Sequence, residues 1–120
     1  MKSQFRSRIE SEANAIVEDW GSLTWLASDA LTQSEVTVGR VIIKPGKANP
    51  RHCHDTCEEV LYLLRGELIH SIGEETVNMS AGDTIIVPAG VMHNAVNQGE
   101  TDADMIVAYS SGTRDFRKEV

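Results

Sequence analysis

The chain has 120 residues, enough for one domain, and its 41% hydrophobic and 24% charged content is that of an ordinary folded protein, which excludes disorder for its body. Eleven Lys and Arg against eighteen Asp and Glu leave a net charge of −7, and aromatic residues are only 5% of the chain. That balance argues against nucleic acid as a partner, because phosphate binding needs basic charge and single strands need stacking platforms; no apolar run approaches the ~20 residues that cross a bilayer, so no membrane partner is expected either.

Residues 3–18 carry Phe5, Ile9, Ala13, Ile16 and Val17 at three- to four-residue steps with charged residues between them. That spacing predicts an amphipathic helix lying on the body of the domain or on a partner subunit, within an N-terminal segment 1–19. The first twelve residues lack the apolar core of a secretory signal, so a cytoplasmic location is expected.

From Ser22 the period changes, and short runs rich in Val, Ile, Leu and Thr alternate with Gly, Pro, Asn and Asp. These predict strands near 22–27, 35–44, 50–54, 58–65, 67–72, 75–79, 84–87, 92–97 and 103–110. Many short, evenly spaced strands with no helical pattern between them make an all-β antiparallel sandwich or barrel over 20–112 and exclude a parallel βαβ fold. The charged tail 113–120 is expected to fray or to wrap a neighbour. Cys53 and Cys57 are too few for a disulfide scaffold and are expected to be reduced; Cys57 reads as a bystander thiol.

The chemistry concentrates in four histidines and a pair of glutamates. His52 and His54 alternate in an extended segment, so both imidazoles project to one face while Cys53 and Arg51 point away, as a pair of metal ligands would. Glu58 and Glu59 open an apolar strand, where a desolvated carboxylate needs a cation or donors, and alternation lets only one of them face the histidines. The residues alone leave that choice even, and they do not show that His93 meets the pair.

Two longer patterns carry a resemblance. Gly46-x5-His52-x-His54-x4-Glu59-x6-Gly66 is similar to the first motif of the cupins, and Gly82-x5-Pro88-x-Gly90-x2-His93-x3-Asn97 is similar to the second, fifteen residues apart. The resemblance implies an antiparallel jelly-roll (cupin) barrel holding one divalent transition metal through His52, His54, Glu59 and His93, and it selects Glu59 over Glu58. Three nitrogens and one oxygen suit Fe, Mn, Ni, Co, Cu or Zn and leave open positions in an octahedral sphere. Gly66, Gly82 and Gly90 are expected where a Cβ would be excluded, and Asn97 as a hydrogen-bonding residue.

Other side chains carry two readings each. Arg40 belongs to the outer sheet face or a subunit contact, or else grips a substrate carboxylate from inside. His70 is a histidine of an outer strand face, or an acid–base group beside the metal. Tyr62, Tyr109, Trp25, Met79, Met92 and Met105 read as barrel packing, with Tyr62 and Met105 as candidates for a wall that meets substrate. The resemblance implies a metal-dependent enzyme on a small oxygen-rich molecule, with oxygenase-like chemistry ahead of sugar or sugar-acid isomerase or lyase chemistry. A non-catalytic small-molecule-binding cupin and a storage cupin rank below. Small cupins pair through sheet edges, so a homodimer is expected.

Overall fold

The structure, a computed structural model, describes residues 3–120. Its elements in chain order are α1 (Arg8–Glu12), β1 (Ile16–Glu18), β2 (Gly21–Ala27), α2 (Asp29–Thr32), β3 (Thr37–Ile43), β4 (His52–Cys53), β5 (Glu59–Arg65), β6 (Glu67–Ile72), β7 (Glu75–Ser80), β8 (Thr84–Val87), β9 (His93–Val96), β10 (Ala103–Tyr109) and β11 (Arg117–Lys118). They form two antiparallel sheets, ordered β1-β2-β3-β10-β5-β8 and β11-β4-β9-β6-β7, which face one another as a jelly-roll barrel. Neighbours in the sheets are often distant in sequence, as where β10 lies between β3 and β5, so the barrel is built from long-range pairing.

Alternation assigns the faces. In β5, Glu59, Leu61 and Leu63 point inward and are buried, while Tyr62 and Leu64 point outward. Val41 and Ile43 of β3, Met105, Val107 and Tyr109 of β10, and Leu68 of β6 fill the interior with them. Burial of these side chains is the main stabilising contribution, roughly 1.5–3 kcal/mol for each large one. Asn97 is fully buried, and its amide ties the connection after β9 to the Ile43 and Thr101 carbonyls at 2.9 and 2.8 Å while accepting from the Gly99 amide.

Three local expectations need correction. The N-terminal helix has only five residues; Ile16 and Val17, both β-branched, pair with Leu23 and Ser22 as strand β1. A five-residue helix cannot sustain itself without packing, and Phe5, Ile9 and Val17 stay 87%, 79% and 77% exposed. The tail folds back on its own barrel: Arg117 and Lys118 pair with Cys53 and His52. At Gly66 a Cβ would lie 2.6 Å from the Asp102 carbonyl oxygen at a φ of +86°, as expected, whereas Gly82 and Gly90 have open space and need glycine only for their positive φ.

Candidate metal centre

Strand pairing answers the question left by the separate motifs. β4 and β9 are antiparallel neighbours with His52 directly opposite His93, and His54 follows β4. Glu59, at the start of β5 in the other sheet, comes to meet them, while Glu58 is exposed. One ligand atom from each of His52, His54, Glu59 and His93 lies within 4.8 Å of all the others, and all four residues are buried.

The hydrogen bonds around the rings decide their tautomers. His52 Nδ1 meets the Pro50 carbonyl at 2.7 Å, His54 Nδ1 the Asp115 carbonyl at 2.6 Å, and His93 Nδ1 the Val91 carbonyl at 2.9 Å. A carbonyl only accepts, so each Nδ1 carries a proton and each ring turns its Nε2 inward. His54 Nε2 and His93 Nε2 both stand 3.1 Å from the same Glu59 oxygen. The His54 contact is close but not aligned as a hydrogen bond, which leaves that buried nitrogen without a partner. Lone pairs converging on a carboxylate call for a cation between them. A divalent metal fits this donor set, and its nitrogen and oxygen composition suits a transition ion.

The electrostatics agree. Burial holds His52 down at about 4, so it is neutral at pH 7. Burial also opposes charge on Glu59, but the adjacent His54 and His93 outweigh it and keep its carboxyl well below the usual range. Burial likewise disfavours a charged His93, yet Glu59 outweighs it and the net shift is upward. A proton shared with Glu59 is thus the metal-free substitute for a metal ion.

The centre faces a cavity of about 280 Å³ between the sheets. Leu23, Val41, Leu61, Met105 and Val107 supply its apolar wall, and Tyr109 stands among them with burial, then the Glu59 charge, pushing its phenol upward. His70 and Met105 both line this cavity. His70, 1% exposed, stacks on His93 at 5.8 Å, its Nδ1 lacks a partner, and burial lowers it to about 4, so it is not on an outer face. Arg40 and Tyr62 are on the outside. Arg40 makes a two-pronged ion pair with Asp104 at 2.9 and 2.6 Å, and Tyr62 is 42% exposed, because both fall on the outward phase of their strands. Neither reaches the cavity, so the substrate-gripping reading of both is withdrawn.

The tail supplies a part of the site that sequence reading missed. Besides its carbonyl on His54, Asp115 accepts from the Asp55 and Thr56 amides at 2.6 and 3.0 Å and from the Thr56 hydroxyl. The Thr56 hydroxyl is the main cause of its lowered pKa, about 2. Phe116 stacks on His52 at 4.7 Å, and Arg114 lies over the rings of Trp25, Tyr109 and Phe116. Arg117 clamps Asp55 at 2.8 and 3.1 Å. Charged residues in a terminal run read as solvated by default, and no local spacing ties Asp115 to a loop sixty residues earlier.

Barrel and ligand set together define a small cupin with a candidate site for a divalent metal. Residues 39–109 match the family described as the cupin domain, and the chain belongs to that family. Germin-like protein 3-5 of Oryza sativa subsp. japonica is 39% identical over 84 residues, covering 63% of this chain and 37% of its own length. Oxalate oxidase 2 of Hordeum vulgare is 29% identical over 121 aligned positions, covering 89% of this chain and 53% of its own. A solved oxalate oxidase superposes with a TM-score of 0.74 at 28% identity, over 83% of this chain and 55% of that one. A mutant of Bacillus subtilis oxalate decarboxylase gives 0.82 at 19% identity over 89% of this chain and 30% of that one, a likeness of fold. The chain thus spans between 37% and 53% of the length of these curated relatives.

Proposed function

We propose that this cupin is a metal-dependent enzyme that uses dioxygen to oxidise a small oxygen-rich molecule. The observation that carries this reading is the convergence of three inward imidazole nitrogens and one carboxylate on the wall of a cavity between the sheets. His52, His54, Glu59 and His93 would hold the ion, and a redox-active ion held there would supply the electron exchange with dioxygen. The protein's own part is to hold Nδ1 protons on backbone carbonyls, keep Glu59 ionised, and exclude bulk water with an apolar wall. Similarity to proteins named oxalate oxidase supports dioxygen as co-substrate.

The test loads the purified chain with Fe(II) or Mn(II) and follows oxygen uptake over phenols, diketones, thiols and small hydroxy and keto acids. Metal-dependent uptake with one of these supports the reading. Turnover of a sugar or sugar acid with no oxygen consumed overturns it in favour of isomerase or lyase chemistry. We also propose a homodimer, supported by the exposed Phe5, Ile9 and Val17. A sedimenting species with the mass of one chain at micromolar concentration argues against it.

A further inference from the structure

The cavity contains a cation for which nothing described so far gives a use. Arg114 lines it, yet makes no ion pair among the described residues, and its Nε is buried without a hydrogen-bond partner. Its guanidinium lies 4.8 Å from the Trp25 ring centre, 5.3 Å from that of Tyr109 and 5.2 Å from that of Phe116, and it also hydrogen-bonds the Tyr109 hydroxyl, yet no carboxylate faces it. Stacking occupies the faces of the guanidinium plane and leaves the Nε edge without a partner. A buried N–H is ordinarily paired, so an unpaired one beside a cavity points to a ligand that completes it.

Position and charge indicate which ligand. Tyr109 and Phe116, the rings that seat Arg114, pack in turn on His54 at 4.8 Å and on His52 at 4.7 Å. The arginine therefore stands one aromatic ring away from the ligand set. Of the other charged groups on the wall, Glu59 belongs to the metal set, while Glu18 and Lys118, both exposed, offset one another at the rim. A divalent ion on the four ligands would leave the interior with net positive charge, and Arg114 is the basic side chain of the lining that no carboxylate offsets. Arg114 lies beyond residues 39–109, the stretch that matches the family.

We propose that Arg114 is the specificity determinant of this site and that the substrate is a small carboxylate anion. One oxygen-bearing end faces the metal ligands, and a carboxylate at the other end pairs with the Arg114 fork in the two-pronged geometry that guanidinium and carboxylate share. The proposal rests on the metal-site reading given above and deepens it.

The experiment titrates malonate and its uncharged isostere malonamide into the zinc-loaded chain by calorimetry; zinc is redox-silent, so no turnover intervenes. Wild type is expected to bind malonate at least tenfold more tightly than malonamide. Arg114→Met is expected to lose at least tenfold in malonate affinity while keeping its zinc content and its malonamide affinity, and Arg114→Lys to recover part of the loss. A merely structural arginine would instead weaken both ligands alike in Arg114→Met. Equal malonate affinity in wild type and Arg114→Met, a uniform loss, or no preference for malonate in wild type would overturn the proposal. A wild-type chain that retains no zinc overturns the metal reading instead, and malonate binding to metal-free wild type and Arg114→Met then decides the role of the arginine.

Discussion

Glu59 is the one carboxylate among three imidazole ligands, and its isostere makes a sharp test. Glu59→Gln keeps shape and volume, and its amide can donate to the inward Nε2 lone pairs that now lie 3.1 Å from the Glu59 oxygen. The variant is therefore expected to fold and to melt within a few degrees of the metal-free wild type, while losing its metal; melting curves and metal analysis check the two halves. The histidines predict a pH dependence. His52 and His70 are both lowered to about 4 by burial, against about 6.5 for a free imidazole. Between those values the unfolded chain binds more protons than the folded one, so metal-free stability falls as pH drops from about 6.5 to about 4. His93 is raised and acts in the opposite sense, its contribution being lost as pH rises through its folded value. Two lowered groups against one raised give a net acid weakening. The urea midpoint should fall between pH 7 and pH 5, and His70→Gln should flatten that slope.

Among the elements, the returning tail has the largest functional consequence. The Asp115 carboxylate fixes the loop at Asp55 and Thr56, and its backbone fixes the proton of His54. Asp115→Ala keeps the carbonyl on His54 but frees the loop after it, so it is expected to lower metal affinity by less than the roughly tenfold of losing a direct partner, and to lower the melting temperature. Competition with a chromophoric chelator measures the first. The β5–β6 connection gives a second test at this scale. Gly66→Ala places a Cβ 2.6 Å from the Asp102 carbonyl at a φ of +86°, so it should cost at least about 1–2 kcal/mol of left-handed backbone strain, read as a lower urea midpoint. Strands were legible from their alternation, and β6 and β8 fall at the predicted residues. The N-terminal segment was not. Ile9 and Val17 satisfy a helical period, but strand pairing with β2 claims the second half. The four-residue helix α2, capped by Ser28, is too short to leave a periodic signal.

At the scale of the whole molecule, a metal on these ligands would tie the two sheets together, because Glu59 comes from one and His52 and His93 from the other. Whatever binds the folded state alone stabilises it by mass action, about 4.1 kcal/mol at a thousandfold excess over Kd. Dialysis against a chelator is therefore expected to lower the melting temperature by several degrees and readdition of metal to restore it. Glu59→Gln, which lacks the site, should show no such response. Calorimetry of the three samples distinguishes a metal that joins the sheets from one that is only adsorbed.

The sequence by itself determined most strands of the barrel, their all-β assembly and, through two motifs that resemble those of the cupins, which four side chains make the candidate ligand set. Those properties depend on alternation and on short fixed intervals along one stretch of chain. Only the tertiary structure decided that His70 faces the cavity, that Arg40 and Tyr62 turn away from it, that Arg114 and Phe116 line it, and that Asp115 supports His54. The phase of a strand depends on which sheet it joins, and a tail docks by pairing with β4 more than sixty residues away. Neither is encoded within any local window.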